Sequence, residues 1–87
     1  MVEARVKMVP ISEAEALLGT TIGVGGFHMT VRTALETRDS TLQAVYEDEV
    51  TGTAYAYAAT PFGHVLEVMG RTKLDAIERL GTLAMRP

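Results

Sequence analysis

Apolar and charged residues alternate at the start of the chain. Val2, Ala4, Val6 and Met8 are separated by Glu3, Arg5 and Lys7, the period of a strand with one buried face. Pro10 ends that run. Ser12 and Glu15 have capping-box spacing, Ile11 and Ala16 stand at the staple positions, and Gly19 is placed to close a helix, so a short helix is predicted over 13–18. Alternation returns from His28 to Arg38, with Met29, Val31 and Leu35 on one side and Thr30, Arg32, Glu36 and Arg38 on the other, which predicts a second strand. After the Asp39-Ser40 turn, a third strand runs from Leu42 to Tyr46 and gives out in Glu47-Asp48-Glu49. Thr51-Gly52 turns the chain into a fourth, Thr53 to Ala59, and Pro61-Phe62-Gly63 into a fifth, His64 to Met69.

The period then changes. Thr72 with Asp75 three residues on marks a capped helix start, and Leu74, Ile77, Leu80 and Ala84 recur at helical spacing, opposite Asp75, Glu78, Arg79 and Thr82. Asp75 and Arg79 form an i,i+4 pair in the favourable order. The order β-α-β-β-β-β-α over a single domain, 1–87, predicts an α+β fold: an antiparallel four- to five-stranded sheet with two helices on one face. Val6, Leu17, Val31, Leu35, Val45, Leu66, Val68, Ile77 and Leu80 are the expected core.

The strand from Thr53 carries a packing inference of its own. Ala54, Ala56 and Ala58 alternate with Tyr55 and Tyr57. Alanines along one face let a helix or another sheet approach closely; if they face the helix, the tyrosines are exposed. They are then either a contact surface or a cross-strand aromatic pair.

Composition sharpens this picture at three points. Hydrophobic residues make up 47% of the chain and charged ones only 22%, rich in apolar side chains for a small monomer, which hints at a buried interface and a homo-oligomer such as a dimer. A net charge of −3 lacks the basic excess of a dedicated nucleic-acid binder. The absence of cysteine removes disulfides, thiolate catalysis and Cys-ligated zinc. The alternating N-terminal stretch is neither a signal-peptide core nor a membrane span, so a cytoplasmic protein with no membrane association is expected.

Part of this pattern resembles the core of the HicB-like antitoxins, over roughly residues 42–84. Tyr57-Ala58 precedes Pro61, Gly70 lies nine residues beyond it, and Gly70-x-Thr72-x-x-Asp75-Ala76-Ile77-Glu78 leads into the helix. The Leu-Pro-Gly-Cys segment of that family is replaced by Phe62-Gly63-His64-Val65. The resemblance implies a three-stranded sheet with a helix, usually dimeric, that binds a small ribonuclease toxin and is not itself catalytic. The same β-β-β-α order also resembles double-stranded-RNA-binding domains, although Asp75 and Glu78 dilute the basic helix start of that family.

Three sets of residues are candidates for chemistry. Tyr55, Tyr57, Glu47, Asp48 and Glu49 would meet a protein partner such as a basic nuclease or nucleic-acid-processing enzyme, the carboxylates standing in for nucleic-acid phosphate. Arg71, Lys73 and Arg79 at the helix start, with Arg32 and Arg38, would serve the alternative of nucleic-acid binding. Gly23, Gly25, Gly26, His28 and His64 would serve an intersubunit site for a small ligand or enzyme reaction. The glycine-rich run 19–26 fails the P-loop test, because no Lys-Ser or Lys-Thr follows it and it leaves a helix instead of entering one; a flexible connection or bulged edge strand is expected. The histidines have no metal-ligand spacing, and no cofactor is expected. The leading expectation is a non-catalytic module that binds and occludes a partner protein.

Overall fold

A computed structural model describes residues 5–86; Val2 and Ala4 of the first predicted strand lie outside that range. The elements in chain order are β1 (Val6–Met8), α1 (Ile11–Leu17), β2 (Thr21–Val24), β3 (Phe27–Thr30), α2 (Val31–Glu36), β4 (Thr41–Asp48), β5 (Ala54–Ala59), β6 (Val65–Gly70) and α3 (Lys73–Ala84). The class is α+β. β4, β5 and β6 form the expected antiparallel meander, and β1 pairs antiparallel on the far side of β4, so the main sheet has the order β1-β4-β5-β6.

Two elements depart from the sequence expectation. The glycine-rich run forms the hairpin β2–β3, a separate two-stranded sheet. Val24 pairs with Phe27 across Gly25-Gly26, whose φ values of 58° and 87° are the left-handed pair that a two-residue hairpin turn requires. Residues 31–36, predicted as a continuation of the strand from His28, are helical instead. The Thr30 hydroxyl accepts a hydrogen bond from the Thr33 N–H at 3.2 Å, capping α2. Val31, Ala34 and Leu35 share the i, i+3, i+4 face and are all buried. The strand-like alternation already breaks at Thr33, where the apolar side would need a hydrophobic residue.

α3 behaves as its sequence predicts at its start. Thr72 Oγ1 accepts from the Asp75 N–H at 3.0 Å, and the Asp75 carboxylate reaches back to the Arg71 N–H at 2.8 Å. Its buried face is Ala76, Ile77, Leu80, Gly81 and Ala84; Leu74, expected on that face, is 45% exposed because it sits in the first turn, beyond the sheet's cover. α1 starts earlier than predicted, at Ile11 after Pro10, and Ser12 makes no capping hydrogen bond. Proline suits that entry because it presets an extended backbone before the first turn.

The core lies between the sheet and the helices. Ala54, Ala56 and Ala58 are fully buried under α3, so the small side chains of β5 set a close helix–sheet distance. Gly70 is part of the same closeness: a Cβ there would fall 2.7 Å from Ala76 Cα and 2.8 Å from the Asp75 carbonyl carbon. Further along α3, Gly81 faces Ile22 and Val31, which docks the small hairpin and α2 on the helix. Val31, Leu35, Val45, Ile77 and Leu80 are buried as expected, while Leu17, Leu66 and Val68 are partly buried at its margin. Val6 is exposed, its place taken by Val9, and Leu18 is the buried leucine of the α1 end. A bulge between Leu42 and Ala44 explains how Leu42 and Val45, an odd number of residues apart, both face inward.

Candidate interaction surface

With the alanines turned to α3, the other face of the four-stranded sheet carries no helix among the described residues. Its central row is fixed by register: Met8 is opposite Tyr46, Tyr46 opposite Tyr55, and Tyr55 opposite Met69. One Met-Tyr-Tyr-Met line thus crosses every strand. The neighbouring row runs Ala44, Tyr57, Glu67, and beyond it Ala59 faces Val65. Met8 and Met69 are 62% and 59% exposed, and the three tyrosines are half-buried.

Two of the tyrosines are held together. Tyr46 and Tyr57 meet edge to face, with ring centroids 5.9 Å apart and planes at 80°, the preferred geometry for aromatic quadrupoles. A cross-strand aromatic contact and an open face, alternatives for the tyrosines of β5, are therefore present together. Tyr46, Met8 and Met69 were missed as site residues. The signal for Tyr46 was its position one pleat from Val45; that for the methionines needed the strand order.

The acidic run does not form one patch. Glu47 lies on the helix side, opposite Ala54, 3.9 Å from the Lys73 ammonium, which also meets Glu13 at 2.9 Å. Hydrogen bonding to Glu13 raises the Lys73 pKa. Asp48 is buried as a residue and structural: its Oδ1 accepts the Val50 and Thr51 N–H groups, at 2.9 and 3.2 Å, and Oδ2 pairs with Arg5 at 3.0 Å. The two backbone donors, and then Arg5, hold its carboxyl below the usual aspartate range. Glu49 reaches Lys7 at 3.4 Å. The three consecutive carboxylates meet three different cations, Glu47 and Glu49 sharing one cleft with Lys7 and Lys73 while Asp48 pairs with Arg5.

The residues of the nucleic-acid alternative are dispersed in the same way. Lys73 is tied to Glu13 and Glu47, Arg79 pairs with Asp75 at 3.2 Å, and Arg32 pairs with Glu15 at 3.2 Å. The Arg71 N–H and the Arg79 guanidinium together hold the Asp75 carboxyl below its ordinary value. Arg38 follows α2 and Arg71 precedes α3; Arg71 and Arg79 share one cleft beside Met69 and Gly70, while Arg32 and Lys73 are tied to α1 by Glu15 and Glu13.

For the small-ligand alternative, Gly25 and Gly26 are the hairpin turn, and the His28 ring lies across the strand from Gly23, where a Cβ would sit 3.2 Å from it. His64 is exposed beside the β5–β6 turn, its N–H bonded to Thr60 Oγ1 at 3.2 Å. No group of three metal-ligating side chains occurs among the described residues. None of the described helices is long and apolar enough to cross a membrane.

No protein-family model, curated protein or solved structure matches the chain.

Proposed function

We propose that the protein is a non-catalytic interaction module that binds and occludes another protein with the open face of its sheet. The observation that supports this is the Met8-Tyr46-Tyr55-Met69 row, an apolar and aromatic line on a face that no described helix covers. Tyrosine and methionine are the residue types enriched at protein interfaces: tyrosine brings large area at low entropy cost, and methionine adapts to irregular partner surfaces. Glu67 on the same face and the net charge of −3 suit a basic partner. The antitoxin-like version of the reading names that partner as a small nuclease, with the protein acting as a dimer in the cytoplasm.

A tagged pull-down from lysate, with and without nuclease treatment, tests the reading. A stoichiometric protein survives nuclease, and Tyr55→Ala together with Tyr57→Ala removes it while the far-UV spectrum stays unchanged. Capture that disappears with nuclease, or that the double alanine variant retains, contradicts it.

A further inference from the structure

The two edges of the main sheet are unlike each other. β1 is three residues long, interrupted by Lys7, preceded by Arg5 and followed closely by Pro10; short length, basic side chains and proline are the features that keep an edge from pairing with other chains. β6 is six residues long, its register with β5 is unbroken, and Glu67 is its only charged residue. Being last in the strand order, it presents a row of backbone N–H and C=O groups with no neighbouring strand among the described residues. Along that edge a groove of about 360 Å³ is walled by Glu67, Val68 and Met69 of the strand, Glu67 standing on its tyrosine side, and by Arg79, Thr82, Leu83 and Arg86 along and just past α3.

We infer that the β6 edge and this groove receive an extended segment of another protein, paired as a fifth strand, with acidic side chains at alternate positions turned toward Arg79 and Arg86. Pairing supplies backbone hydrogen bonds, and alternation of the added strand places every second side chain over the groove. Arg79 uses Nε on Asp75, and the Arg86 guanidinium meets no carboxylate among the described residues, so the groove offers guanidinium donors to a carboxylate. The residues between the acidic ones lie on the tyrosine side, next to Val65 and Met69, and are apolar.

Charge also argues against a second copy of this chain as the added strand. In an antiparallel two-fold pairing centred on residue 66, 67 or 68, the two Glu67 side chains stand directly opposite or diagonal to one another on the same face, where like charges repel. The same symmetry sets the Arg79 and Arg86 flank of α3 against its own copy. This docking edge goes beyond the sheet-face reading and is tested separately from it.

The probe is a short blocked peptide alternating valine and glutamate, titrated onto the full chain while backbone amides are followed by NMR and hydrogen exchange. Alternate amides of Val65–Gly70 become protected, the matching valine–lysine peptide binds at least about tenfold more weakly, and Arg86→Ala narrows that difference. N-methylation of alternate peptide amides abolishes binding, whereas Tyr55→Ala leaves it intact even if that variant loses the partner of the open face. The inference is overturned if the valine–glutamate peptide fails to bind at millimolar concentration, if the lysine or N-methylated peptide binds equally well, or if light scattering and exchange show β6 already paired with a second copy.

Discussion

At the scale of single residues, Gly70 is the position with least freedom. It is followed at once by the turn into α3, and the backbone of Asp75 and Ala76 stands where a side chain would begin. Relief requires movement of the helix start, since the obstructing atoms are main chain and cannot rotate away. Gly70→Ala is expected to destabilise the fold by about 2 kcal/mol or more, in the range of overpacking substitutions, read from the midpoint of urea unfolding. Two features at this scale were legible in the sequence: the alanine–tyrosine alternation of β5, and the Thr72–Asp75 cap. The role of Asp48 was not. A carboxylate in an acidic run looks like solvent-facing charge, and only the return of the chain through Val50 and Thr51 and the arrival of Arg5 beside β1 make it a turn-fixing group.

At the scale of elements, local signals were decisive where they agreed and misleading where they competed. The α3 start combines a cap, an acidic first turn and an apolar period. The α1 start has the same lettering in Ser12 and Glu15, but Pro10 occupies the cap position and Ser12 caps nothing. Thr72→Ala is therefore expected to cost about 1 kcal/mol, while Ser12→Ala changes thermal stability by a few tenths at most. Equal losses in the two variants would mean that the caps have been misassigned. α2 was not legible because its sequence, Val-Arg-Thr-Ala-Leu-Glu, mixes β-branched residues with a helical apolar period; contact with α3 and the Thr30 cap decide for the helix. The β2–β3 hairpin was half visible, as glycine-rich and strand-like, but its turn geometry could be read only from the positive φ values.

At the scale of the whole molecule, the charged residues act mostly as ties between elements: Arg5 and Lys7 join the β1 strand region to the end of β4, and Lys73 joins α3 to α1 and β4. Their titration gives stability a definite pH window. Asp48 and Asp75 have folded pKa values below the unfolded one. Their contribution is thus complete above the unfolded value of about 3.9 and is lost as pH falls toward the folded values. Lys73 is shifted upward, so its contribution is complete below the unfolded value of about 10.4 and disappears as pH rises through the folded pKa. Tm is expected to be flat through neutral pH and to fall on both flanks. Asp48→Asn, measured across the acid flank, should show a shallower decline than the parent chain; an identical slope would show that Asp48 has an ordinary pKa in the folded protein. Topology at this scale was partly legible. The meander follows from turn spacing, but nothing local tells β1 to join β4, and that placement is what completes the methionine–tyrosine row.

The alanine face of β5 has a further consequence. With Ala54, Ala56 and Ala58 sealed under α3, the inward half of the strand tolerates almost no change, while its outward half touches no described helix. Folding and the proposed recognition are thereby written on alternate letters of the same six residues. A randomised library at positions 8, 46, 55, 57 and 69 would vary recognition while leaving the inner letters untouched, which makes this small cysteine-free chain a natural display scaffold.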